Sequence, residues 1–154
     1  MSLKLSTALA NALMGSDDLA ALLGGGKLYV YSGTVPDTAD EAPAGATKLC
    51  VVTNNGDGTT GLTFATPAAN GVIQKTAAEV WKCLAANITA GSAAFYRFCV
   101  GADDGSAAAG ASDYRVQGSI GTDMSFDLTV PSTSLSTAAD FGPITSFGYQ
   151  QPTA

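Results

Sequence analysis

Apolar residues recur along this chain at two spacings, and the change between them falls near residue 26. In the first segment Leu5, Leu9 and Leu13 stand four residues apart with Ala8 and Ala12 beside them, which places them along one stripe of a helix. Ser6 suits the N-cap, since a serine oxygen accepts a free N–H of the first turn, and Gly15 suits the end. A second short helix follows, with Ser16 as its expected cap, Asp17 and Asp18 at the positive end of its dipole, and Leu19, Leu22 and Leu23 on its apolar side. Gly24, Gly25 and Gly26 stop it.

From Lys27 the period becomes two. Leu28, Tyr29, Val30 and Tyr31 open a series of short candidate strands at residues 48–53, 60–64, 72–75, 79–85 and 95–100. Tyr114, Val116 and Ile120 then alternate with Arg115, Gln117 and Ser119, and Met124, Phe126, Leu128 and Val130 with Asp123, Ser125, Asp127 and Thr129. Such alternation predicts strands with one packed face and one wet face. Residues 141–149 supply one last strand. The expected fold class is therefore mainly β, an antiparallel β-sandwich of jelly-roll type over residues 27–154, preceded by a short helical arm at 1–26. Helices this short are marginal alone. Leu5, Leu9, Leu13, Leu19 and Leu22 are accordingly expected to contact a neighbouring subunit or a larger partner rather than to complete the sandwich core.

Composition sharpens the picture. Charged residues make up 13% of the 154 positions, against about 25% in ordinary soluble domains, so part of the surface is expected to be covered by a partner. The net charge of −6 and the scatter of the seven basic residues argue against nucleic acid, whose phosphates need clustered Lys and Arg. The first residues lack the pattern of a signal peptide and no stretch approaches the ~18 apolar residues of a membrane span, so a protein made in a cytoplasm and held by no membrane is expected. Cys50, Cys83 and Cys99 each lie in an apolar run without metal or redox spacing, which predicts buried, reduced thiols.

Candidate chemistry is sparse. The chain has no histidine, which removes the commonest general base and metal ligand. Residues 54–58, Asn-Asn-Gly-Asp-Gly, are rich in oxygen ligands but lack the spacing of a calcium loop, and Asn-Gly and Asp-Gly first of all favour tight turns; Asp103-Asp104-Gly105 reads the same way. Gly24–Gly26 is followed by no Gly-Lys-Ser/Thr, so it is no phosphate loop. Asn87-Ile88-Thr89 matches a glycosylation sequon that lacks a secretory context. No carboxylate pair or Ser/Lys pair stands in a recognisable setting, so neither enzymatic activity nor a cofactor or metal is expected. Trp81, Tyr29, Tyr31 and Tyr96 read as packing residues, with a sugar-binding patch as the alternative.

Four stretches carry a resemblance: residues 3–13, Leu-Lys-Leu-Ser-Thr-Ala-Leu-Ala-Asn-Ala-Leu; residues 28–40, from Leu28-Tyr29-Val30-Tyr31 to Asp40; Gly61-Leu62-Thr63-Phe64; and Phe95-Tyr96-Arg97-Phe98 with the later Arg115-Val116-Gln117-Gly118. Together they make the chain similar to a family of small structural proteins of tailed bacteriophages and prophages. The resemblance implies a β-sandwich virion component without catalytic residues, made in the host bacterial cytoplasm and serving as a capsid decoration or head-collar protein that reinforces the particle. Its expected partners are further copies of itself, as a trimer or a higher ring, and other virion proteins. A tail- or fibre-associated module that binds a host-surface glycan is the alternative.

Overall fold

The computed structural model describes residues 3–15 and 17–150. Its elements in chain order are β1 (Lys4–Leu5), α1 (Thr7–Met14), α2 (Leu19–Leu23), β2 (Lys27–Ser32), β3 (Thr47–Asn54), β4 (Val72–Gln74), β5 (Trp81–Cys83), a 3-10 turn (Ala85–Asn87), β6 (Gly91–Ser92), β7 (Phe95–Cys99), β8 (Arg115–Gly121), β9 (Leu128–Thr129), β10 (Ser134–Leu135), β11 (Phe141–Ile144) and β12 (Gly148–Gln150). The fold is mainly β, as the alternation predicts. One eight-stranded sheet runs β1-β8-β7-β2-β3-β5-β11, antiparallel throughout that path, with β9 joining β8 in parallel. Two ribbons, β10–β6 and β12–β4, accompany it. Among the described residues no helix is long and apolar enough to cross a membrane.

Helix α1 starts and stops where the sequence places its signals. The Ser6 hydroxyl accepts the Leu9 N–H at 3.3 Å, and the Gly15 N–H closes on the Ala12 carbonyl. Leu5, however, is not on the helical stripe. It lies in β1, opposite Val116 of β8, because the Ser6 N–H bonds the Arg115 carbonyl and extends the strand pairing up to the helix cap. Helix α2 starts later than expected. Its cap is Asp18, which accepts the Ala21 N–H at 2.9 Å, while Ser16 lies outside the described residues.

Residues 1–26 were expected to stand apart from the body, yet Leu9 and Leu23 are wholly buried in the main core and Ala20 nearly so. The physical reason is the sheet itself: its inward face, carrying Leu28, Val30, Val52, Phe98 and Val116, needs a cover, and two helices tied to β8 supply part of one. The C-terminal third supplies the rest through Leu128, Leu135, Phe141, Phe147 and Tyr149. Phe64, Trp81, Phe98, Phe147 and Tyr149 interlock there, with ring centroids 5.2 to 6.3 Å apart.

The expectation of one wet face fails at the sheet centre. Every residue of β7 and β8 is buried. Tyr29, Tyr31, Phe95 and Cys99 form a second, smaller apolar cluster on the outward face, joined by Val35 and Ala46 from the long β2–β3 connection. Tyr31 stacks on Phe95 at 5.1 Å.

Three expected strands also change. Residues 60–64 make only the single bridges Gly26↔Leu62 and Phe64↔Lys75. In 124–130 only β9 is extended, because Asp123 accepts the Ser125 N–H at 2.8 Å and turns the chain, leaving Met124 95% exposed. The expected tail strand is two strands in different sheets, β11 beside β5 and β12 beside β4.

Candidate interaction surface

Two features beyond the core concentrate polar chemistry. The first is a buried layer on the outward face of the sheet. In β8, Arg115 forms a fork with Asp103, Nε to Oδ2 at 2.6 Å and Nη2 to Oδ1 at 2.7 Å, and its Nη1 donates to the Ala107 and Ala39 carbonyls. Arg97 of β7 donates to Gln117 Oε1 at 2.9 Å and to the Gly105 and Thr38 carbonyls. Gln117 in turn donates to the Pro36 carbonyl. Arg115 thus holds the buried Asp103 and has the partly exposed Asp113 at 4.0 Å, Arg97 bonds only neutral oxygens, and the remaining N–H groups of both hold the loops at 33–46 and 101–113 down onto the sheet. Burial would push the Asp103 carboxyl up, but its bonds to Arg115 and the Gly105 N–H outweigh that and hold it below the ordinary carboxylate range. Burial and the neighbouring Arg115 push Arg97 below its usual value.

The second feature is a groove of about 800 Å³, lined by Ile88 and by residues between Met124 and Gly148. Its apolar lining includes Leu128, Val130, Leu135, Phe141, Ile144 and Phe147, side chains that the main core already fixes in place. Ser132, Ser134, Ser136, Thr145 and Ser146 add polar groups to it. β9 and β11 both border it, and among the described residues each has a single strand neighbour, β8 and β5 respectively. β11 is irregular there: it pairs with β5 at Phe141 and Ile144, with a register shift between them at Gly142, whose φ is 96°, and Pro143.

Among the described residues two carboxylates line the groove and no lysine or arginine does. Asp127 is fixed by the Ser119 N–H and hydroxyl, each donating to Oδ2 at 2.8 Å. Asp140 accepts the Ala85 N–H at 2.9 Å and the Lys82 ammonium at 3.4 Å, and chiefly that backbone bond holds its carboxyl below the ordinary range. The groove thus combines hydroxyls and carboxylates with an apolar floor.

The leucines singled out from the sequence distribute unevenly. Leu9 is buried, Leu13, Leu19 and Leu22 pack half-buried against the main core, and Leu5 is 40% exposed at the β1 edge, close to the 38% of Leu3. The stripe thus turns mostly toward the chain's own core and leaves the β1 edge as the apolar part that faces outward. The three cysteines are free and buried. Burial pushes the Cys99 thiol up, and a hydrogen bond shared with Cys83, together with burial, does so for Cys50. Residues 54–58 form a turn, with Asn55 and Gly56 at φ 57° and 71°.

Sequence reasoning missed both the polar layer and the groove. A signal for the first existed: Arg97 sits between Tyr96 and Phe98 in a run with no polar alternate, a poor place for a solvated charge. The groove had no comparable signal, because it depends on where β9 and β11 end in space. Comparison with models of known protein families, with curated proteins and with solved structures found no match to this chain.

Proposed function

We propose that the chain is a non-enzymatic structural component of a tailed-phage virion, a capsid decoration or head-collar protein that binds and reinforces the particle. The observation that carries this reading is the apolar groove bordered by β9 and β11, each with one strand neighbour among the described residues, a surface suited to assembly. The motif resemblance of residues 3–13, 28–40, 61–64 and 95–98 supports the virion setting. In this reading the sheet and the ribbons that cover it are the layers of a jelly-roll-like sandwich, and the chain forms a trimer or a higher ring through the β1 edge, where Leu3 and Leu5 are exposed. The glycan-binding alternative gains no such support, since Trp81, Tyr29, Tyr31 and Tyr96, its candidate sugar platforms, are at most 7% exposed.

The test is mass spectrometry and cryo-electron microscopy of purified particles from a lysogen carrying the gene. The expected outcome is a fixed, multi-copy stoichiometry with the chain located on the head or collar. Abundant chain in the lysate with none in the particles overturns the assignment.

A further inference from the structure

We propose that Asn70 is a spontaneous covalent modification site of the native protein: attack by the Gly71 backbone nitrogen removes its carboxamide and leaves aspartate and isoaspartate, while the chain's other Asn-Gly pair, Asn55-Gly56, is protected by its setting. This goes beyond the assembly reading and does not depend on it.

The reaction needs only water and the chain. A base takes the Gly71 amide proton, the nitrogen forms a bond to Asn70 Cγ, and the Cγ–Nδ2 bond breaks as ammonia leaves with a proton returned from the base. Water then opens the cyclic imide at either carbonyl, which gives aspartate or isoaspartate. Glycine favours the first step because no side chain shields its nitrogen. Ring closure turns the asparagine out of its left-handed conformation, so in a folded chain the rate follows the cost of opening the turn locally.

That cost differs between the two sites. Asn70 and Gly71, at φ 53° and 73°, are the central residues of a hairpin turn of the kind Asn-Gly favours, closed by Ala69 and Val72, whose backbone groups bond each other at 3.0 Å in both directions. Both central residues are exposed, and among the described residues no acceptor takes the N–H of either. Opening this turn breaks one reciprocal pair at the surface. Asn55 and Gly56, at φ 57° and 71°, have a similar backbone but are tied down. The Asn55 N–H donates to the Val80 carbonyl at 2.7 Å, and the Gly56 N–H, whose nitrogen must attack, donates to the Thr53 carbonyl at 3.2 Å. Asn54 Oδ1 accepts the Val80 N–H at 3.0 Å, and Gly56 is buried beside Leu84 and Lys82. Freeing that nitrogen detaches the turn from the residues around β5. The modification at Asn70 also has a structural reach, because isoaspartate adds a backbone carbon to the turn that leads into the β4–β12 ribbon, whose Ile73 and Tyr149 belong to the main core.

The experiment incubates the full-length protein in mildly alkaline buffer, native and in urea, and follows both Asn-Gly pairs by peptide mass spectrometry with aspartate and isoaspartate separated chromatographically. In urea the two sites are expected to convert at similar rates. In the native protein Asn70 should convert at least ~10-fold faster than Asn55, and amide exchange should be fast at Gly71 and slow at Gly56. Asn54→Ala makes both sites read Ala-Asn-Gly and removes the acceptor of the Val80 N–H, so it should speed conversion of Asn55 and leave Asn70 unchanged. Equal native rates at the two sites, faster conversion at Asn55, or an Asn70 that stays intact in the native protein while the urea sample converts fully overturns the proposal. An Asn55 rate unchanged by Asn54→Ala overturns the account of its protection.

Discussion

At Asp103 a single carboxylate sits 2.6 and 2.7 Å from two nitrogens of Arg115, while Arg97 nearby is held by neutral oxygens alone. The Arg115 and Asp103 side chains are 1% and 7% exposed, so water does little to screen them. Desolvation makes such an ion pair a weak contributor to net stability when intact, but removing one partner strands the other. Asp103→Ala is therefore expected to destabilise the protein by about 3 kcal/mol, read from denaturant midpoints, because it leaves Arg97 and Arg115 with only the partly exposed Asp113, 4.0 Å from Arg115, as a nearby counter-charge. Asp103→Leu combined with Arg115→Met should recover part of that loss. A cost under about 1 kcal/mol for Asp103→Ala would mean that the layer is hydrated and the loops at 33–46 and 101–113 are held by other contacts.

Among the elements, the N-terminal segment shows how little periodicity says about destination. Its leucine stripe is a correct sign of α1, and Ser6 and Gly15 bound that helix as expected. What the stripe binds was not legible, because an apolar helix face fits a neighbouring subunit and its own sheet equally well. Here long-range bonds decide: the Ser6 hydroxyl donates to the Asp113 carbonyl at 2.7 Å and accepts the Arg115 N–H at 3.0 Å, and Asp40 accepts the Thr7 N–H and hydroxyl. These bonds join residues more than thirty positions apart and fix Leu9 against the core. Leu9→Ala should accordingly cost about 2–5 kcal/mol, the range for a large-to-small change at a fully buried site. Leu5→Ala, at the exposed edge, should stay within about 1 kcal/mol. Thermal melts of the two variants check this; equal shifts would place the segment outside the cooperative unit.

For the whole molecule, the titrating groups set the pH range of stability. The chain has no histidine, so between pH 5 and 6 stability should be flat; the hydrogen bond with Cys50 holds the Cys83 thiol down at about 7, so its contribution is present above the unfolded thiol's ~8.5 and is lost as pH falls through the folded value. Ser106 and Lys48 hold the Asp104 carboxyl down at about 2, and Asp103 also lies below its ordinary value. A folded-state pKa below the unfolded one, ~3.9 for Asp, gives stability that is present above that value and lost as pH falls through the folded one. The melting temperature is thus expected to drop from about pH 4 downward. At the alkaline end the sign reverses. Burial, with the neighbouring Cys99 and Asp104, pushes Tyr29 up to about 12, so its neutral form stabilises the fold below pH ~10 and that contribution disappears as pH rises toward 12. A melting profile with a step between pH 5 and 6 would contradict this account.

The sequence by itself determined the local events: the ends of α1, the positions of β2, β3, β7 and β8, the turn at residues 54–58 and the apolar setting of the cysteines. Each depends on neighbours within a few positions, through capping, period-two alternation or positive φ. The tertiary structure decided the rest. Arg115 and Gln117 alternate with apolar residues as solvent-facing side chains would, and only the folding of 33–46 and 101–113 over them makes them interior. Residues 124–130 alternate as a strand does, yet Asp123 bonds Ser125 locally and the chain turns. The groove between β9 and β11 exists only because strands twelve residues or more apart in sequence end beside one space, and no local pattern encodes where a sheet stops adding strands.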